Sequence, residues 1–129
     1  MNIPSNRDNI KSDKKMMSRL KKKVNGYNTQ DKKKGRLVFN PKFGCMIPKE
    51  LTVDEVIELI HEKGLTCSYC YDVVYIIPNA KNKNGQLTLD RIDNSKSHTI
   101  DNCVIACLDC NLTRSDFVSS ERFKEIKNK

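Results

Sequence analysis

A chain of 129 residues, 37% of them hydrophobic, has room for one domain with a modest core, and anything detached from that core is expected to be tail. It contains no apolar run near the roughly 20 residues needed to cross a bilayer, and its opening, MNIPSNRDNIKSDKK, lacks the apolar stretch of a secretory signal. That composition argues against a membrane partner and predicts an intracellular protein of cytoplasm or nucleus.

The net charge of +8 is unevenly spread. Residues 1–36 hold twelve Lys and Arg against three acids, whereas residues 37–129 balance to −1. The basic blocks are Lys14-Lys15, Lys21-Lys22-Lys23 and Lys32-Lys33-Lys34, followed by Arg36. With few large apolar residues among them, this stretch is expected to be a largely disordered arm, because it cannot bury enough surface to offset its ordering entropy. Met16, Met17 and Leu20 leave room for a short helix within it. Such blocks bind polyanions by releasing counterions, so the arm is expected to contact nucleic acid; a solvated tail is the plainer alternative. Affinity for a duplex should come mainly from this arm, since the remainder is close to neutral.

Residues 37–49 read as an extended lead-in broken by Pro41, Gly44 and Pro48. The stretch LTVDEVIELIHEKG predicts an amphipathic helix. Thr52 and Glu55 make a capping box, Leu51 and Val56 a hydrophobic staple, and Val53, Val56, Ile57 and Ile60 an apolar stripe that stops at Gly64. His61, at the edge of that stripe, reads as helix surface. A strand is expected from Val73 to Ile77, an exposed turn at NAKNKNG, a second strand from Leu87 to Ile92, and a third from Cys103 to Ala106. A helix should start around Asp109 to Asn111, with a further helical piece from Ser119 or Ser120 through Ile126.

Two C-x-x-C knuckles, Cys67/Cys70 and Cys107/Cys110, are separated by 36 residues. Their spacing suits four thiolates closing a tetrahedron around Zn²⁺, a structural site with no open position for water. Cys45 and Cys103 lie outside the pattern, and Cys103 reads as a small buried hydrophobe.

A C-x-x-C knuckle, then LDRIDN, then DNCVIACLDCN resembles the zinc-bound branch of the HNH, or ββα-metal, endonucleases, similar in arrangement to the phage recombination endonuclease VII group. The resemblance is greatest to variants with L-D-R-I-D-N in phages and large DNA viruses, and covers about residues 65–116. It implies a small α+β fold, with a ββα-metal core stapled by the four-cysteine zinc site within a domain of residues 37–129. The amphipathic helix precedes the core, and the basic arm of residues 1–36 stands apart. It further implies one divalent ion, Mg²⁺ or Mn²⁺, between Asp90 and Asn111, with Asn102 ordering the intervening loop. Hard cations prefer oxygen ligands, and one carboxylate with one amide carbonyl suits such an ion. The plainer reading makes Asp90 and Asn111 loop and helix caps.

The family usually places a general-base His directly after the metal-binding Asp, and this chain has Arg91 there. A guanidinium cannot accept a proton from water, though it can grip phosphate. His98, in the loop between the motif strands, is the alternative base; Asp93 reads more simply as a turn residue. Arg114, three residues after Asn111, reads equally as a second phosphate contact and as plain surface charge.

The expected function is therefore a metal-dependent endonuclease acting on nucleic acid, DNA above RNA. The alternative is a catalytically inactive, zinc-stapled nucleic-acid-binding or DNA-packaging protein. Related nucleases often pair subunits, so a homodimer or larger assembly is a further expectation.

Overall fold

Thr52 opens the best-signalled helix of the chain. Its side chain accepts the Glu55 N–H at 3.1 Å, while the Glu55 carboxylate accepts the Thr52 N–H at 3.0 Å. This reciprocal pair satisfies two backbone donors that a helix start leaves orphaned. In the computed structural model, which describes residues 6–114 together with Ser120, Phe123 and Lys124, that helix is the third of four. The order is α1 (Arg7–Ser12), α2 (Lys14–Lys34), β1 (Val38–Asn40), β2 (Cys45–Ile47), α3 (Val53–Lys63), β3 (Leu87–Arg91), β4 (Cys103–Cys107) and α4 (Leu108–Arg114). Single 3-10 turns at Lys83–Gly85 and Ile100–Asn102 precede β3 and β4. The strands form two small antiparallel pairs, so the fold is a small α+β arrangement.

The expected disordered arm is instead two helices. Asp13 caps α2 by accepting the N–H groups of Lys15 and Met16, both at 3.0 Å, and Gly35 ends it in the left-handed conformation at φ 65°. Leu20, Val24, Tyr27 and Asp31 recur at helical spacing and make an inward stripe, with Leu20, Val24 and Asp31 buried. Lysines conceal this stripe in the composition without interrupting it. Ile10 of α1 is fully buried in the same core, which α3 completes with Val56, Ile57 and Ile60. Asn28 clamps α2 to the chain before α3, donating to the Leu51 carbonyl at 2.9 Å and accepting the Leu51 N–H at 2.8 Å. Residue 36 therefore marks no break between a tail and a folded body.

Two further expectations change. Residues 37–49 form the β1–β2 hairpin, with Val38 opposite Ile47, Phe39 opposite Met46 and Asn40 opposite Cys45. Val73–Ile77 is not a strand. Val74 and Ile76 are buried between exposed neighbours, as in a strand, but the backbone divides its bonds. The Val74 N–H goes to Leu65 at 3.0 Å and the Tyr75 N–H to Gly85 at 2.9 Å, leaving only isolated bridges. The expected final helical piece lies outside the described residues except at Ser120, Phe123 and Lys124, which are helical.

The second pair carries the motif residues. β3 and β4 run in register from Leu87 opposite Cys107 to Arg91 opposite Cys103, and α4 follows β4 without a break. None of the described helices is long and apolar enough to cross a membrane.

Candidate functional site

Cys67 and Cys70 sit in a tight turn held to β4 by the Ser68 N–H, which donates to the Ile105 carbonyl at 2.8 Å. Cys107 ends β4 and Cys110 lies in α4, so one strand pairing brings the two knuckles together. Their four sulfurs lie within 4.8 Å of one another, and Cys70 and Cys107 are 3.9 Å apart. A tetrahedron with zinc–sulfur bonds of about 2.3 Å has edges of about 3.8 Å, so the cluster can hold a zinc ion. Backbone N–H groups point at two of the sulfurs. Tyr69 N–H donates to Cys67 Sγ and Cys110 N–H to Cys107 Sγ, each at 3.4 Å. Burial pushes the Cys67 thiol up, but N–H donors bring it below its ordinary value. Burial raises Cys70 to about 11, and burial with neighbouring sulfurs raises Cys110. A divalent cation would reverse both effects. Cys103 is buried in β4, its thiol pushed up to about 12 by that burial.

A cavity of about 810 Å³ lies between α2 and the β3–β4 unit. Asp90, Arg91, His98 and Asn111 line one side. Lys23, Tyr27, Lys34 and Arg36 line the other, so basic residues of the amino-terminal region form a wall of the cleft that holds the motif. Burial, reinforced by Arg19, lowers Lys23 to about 8.

Asp90 is buried and doubly held. Its Oδ1 accepts from Arg114 Nη1 at 2.6 Å and its Oδ2 from the Tyr69 hydroxyl at 2.5 Å. Tyr69 also meets Ser120 Oγ at 2.9 Å and packs edge-on against Phe123. Arg114 is fully buried, with Nη1 also donating to the Arg91 carbonyl at 2.7 Å. This corrects the expectation of an Arg114 phosphate contact, because the guanidinium is enclosed beneath Asp90. Arg91 lines the cleft with a Nη1 that donates to the carbonyls of Asn94 and Lys96, so it also supports the loop.

Asn102 organises that loop. It accepts the Asp93 N–H at 2.9 Å and donates to the carbonyls of Asp93 and Ser97 at 3.0 and 2.9 Å. Asp93 is exposed and closes a local turn by accepting from Ser95 N–H and Oγ, bonds that lower its pKa. Asn111, on α4, is half-buried at the cleft.

His98 is buried, and its partner comes from the far end of the chain. Asp31 accepts the His98 backbone N–H at 2.8 Å with Oδ2 and faces the ring Nδ1 at 2.9 Å with Oδ1. Arg36 Nη1 lies 3.1 Å from the same oxygen. Tyr27 stacks on the imidazole with centroids 4.4 Å apart, and its hydroxyl accepts the Leu89 N–H at 3.0 Å. A carboxylate only accepts, so Nδ1 carries the proton and Nε2 keeps its lone pair. Burial lowers the histidine's pKa despite Asp31, which keeps the ring neutral near pH 7. Sequence reasoning missed Asp31 and Tyr27. The available signal was their position on the Leu20–Val24 stripe, where a single acid precedes three lysines.

The arrangement thus offers a neutral, oriented imidazole, a carboxylate and an amide around a basic cleft, beside a sulfur cluster suited to zinc. No family model, curated protein or solved structure matches the chain.

Proposed function

We propose that this protein is a metal-dependent endonuclease of the HNH type that hydrolyses phosphodiester bonds of nucleic acid, DNA above RNA. The observation that carries the reading is His98, oriented by Asp31 and lining one cavity with Asp90 and Asn111. Nε2 of His98 accepts a proton from the attacking water, and Asp31 stabilises the imidazolium that forms. Arg91 has no part in proton transfer. Lys23, Lys34 and Arg36 hold the phosphate backbone against the opposite wall. Asp90 and Asn111 are the residues that would hold Mg²⁺ or Mn²⁺. Asp90 fits this role through the lone pairs that Arg114 and Tyr69 leave on its two oxygens. Such an ion would supply charge stabilisation at the scissile phosphate and leaving oxygen. Zinc at the four cysteines serves folding.

Incubation of the full chain with supercoiled plasmid and Mg²⁺ tests this reading. Nicking should fall at least about 100-fold in His98→Ala and Asp90→Ala. Activity unchanged in both variants would sink it.

One observation favours a second reading, a zinc-stapled nucleic-acid-binding or DNA-packaging protein without catalysis. Both oxygens of Asp90 already serve buried partners, one of them a cation that competes with any metal. That protein would bind nucleic acid with steep salt dependence and cleave under no metal.

A further inference from the structure

The β1–β2 hairpin leaves three large apolar side chains exposed. Phe39 is 57% exposed, Phe43 66% and Met46 45%. Phe39 and Met46 stand opposite one another, so their side chains share a face. Phe43 occupies the turn, which is well fixed. Asn40 Oδ1 accepts the Lys42 N–H at 2.8 Å, the Asn40 carbonyl accepts the Gly44 N–H at 2.8 Å, and Gly44 has φ 65°. Two-stranded hairpins are marginal in water, and three large apolar side chains exposed on one short hairpin point to a partner.

Charge indicates which partner. From Lys32 to Lys49 the chain has six basic residues and no acid. The Lys42 ammonium lies 5.9 Å from the Phe43 ring centroid. Rings framed by cations suit a polyanion whose bases stack on them. Placement agrees, because the hairpin leaves α2 directly after the cleft residue Arg36, and Leu37 bridges to Lys96 in the loop that leads to His98. Phe39 is three residues along the chain from Arg36, a reach of at most about 10 Å.

We propose that Phe39 and Phe43 form a stacking platform for unpaired bases of a nucleic-acid strand whose backbone runs on into the cleft. The inference rests on the nucleic-acid reading above and extends it to single-stranded or locally unpaired substrate. The full chain is titrated with a fluorescent single-stranded oligonucleotide and with the matching duplex over a range of salt. Phe39→Ala/Phe43→Ala should bind the single strand roughly ten- to hundredfold more weakly, with the duplex changed little. The salt slope should be unchanged, because no phosphate contact is removed. Tyr at both positions should restore binding and Leu should not. Single-strand binding unchanged in the Ala variant, or restored by Leu, overturns the stacking platform and leaves the nucleic-acid reading standing. A wild-type chain that binds no oligonucleotide overturns both. Light scattering adds a further outcome: a wild-type dimer that the Ala variant converts to monomer reassigns the hairpin to self-association and overturns the proposal.

Discussion

The amino-terminal helices and the unit of β3, β4 and α4 are held by different means. In α1 and α2 a thin stripe of Ile10, Leu20 and Val24 packs against α3, supported by Asn28 and by polar links to a loop far along the chain. In β3, β4 and α4 the buried Leu87, Leu89, Ile105 and Ala106 are joined by the Asp90–Arg114 pair and by four cysteines placed so that they could hold a zinc ion. The motif-bearing region contains His98, but the group that orients it comes from the lysine-rich region. A segment that composition marks as tail thus supplies half of a dyad.

With zinc proposed at the four cysteines, its removal should test this division most severely. Structural zinc in small domains contributes about 10–16 kcal/mol, as much as the whole stability of an ordinary domain. A strong chelator, or Cys67→Ser with Cys110→Ser, should strip hydrogen-exchange protection from β3 and β4 first. Amides of α3 should keep part of theirs. Equal loss in both regions would show that they unfold as one unit and remove the distinction.

Asp31→Asn probes the link between the regions. The amide keeps the shape but removes the charge facing His98 and Arg36. Breaking a buried pair costs about 3–5 kcal/mol, read as a lower denaturation midpoint. Under the nuclease reading, nicking should also fall at least about 100-fold, with partial rescue by Asp31→Glu. Loss of stability with full nicking would leave Asp31 as a strut only.

Sequence reasoning separates the two regions for identifiable reasons. Thr52 and Glu55 announce α3 because a capping box is local, and the cysteine spacing announces the sulfur cluster because knuckles are local too. The two strands are readable from their own residues, whereas their antiparallel pairing is what the resemblance implies. The Asp31–His98 contact spans 67 residues and has no local signature. Arg114 reads as a surface cation in the sequence because its partner, Asp90, lies across the fold. Val73–Ile77 has the alternation of a strand, but alternation cannot say that its hydrogen bonds are shared between Leu65 and Gly85.

Acid should produce a smaller, graded effect. Burial sets the folded pKa of His98 below its unfolded value of about 6.5, outweighing Asp31. The unfolded chain therefore takes up the proton more readily. The stability contribution is complete above about pH 6.5 and is lost as pH falls through the folded pKa. Asp31→Asn removes an influence that raises this pKa, so it should move the His98 titration lower still. The chain has only two histidines, which makes the shift readable by NMR. Titration moving upward in Asp31→Asn would contradict the orientation of the dyad.

The smallest effect on folding should come from the lysines that give the amino-terminal region its charge. Lys14, Lys15, Lys21 and Lys22 are exposed on α2, away from the stripe, whereas Lys23 lies at the cleft. Replacing the four exposed lysines by Gln should leave stability within about 0.5 kcal/mol, as surface changes usually do. Under the proposed nucleic-acid reading, duplex affinity should nevertheless fall, and the slope of log K against log salt should flatten by about 0.9 for each phosphate no longer neutralised. Deleting residues 1–36 cannot make this measurement, because it also removes Leu20, Val24, Tyr27 and Asp31 from the core and the cleft. The charge variant separates the two roles of α2. A flatter slope with unchanged stability would assign DNA attraction to its outer face and support of His98 to its inner one. An unchanged slope would move the phosphate contacts to Lys23, Lys34 and Arg36, making the cleft the whole electrostatic footprint.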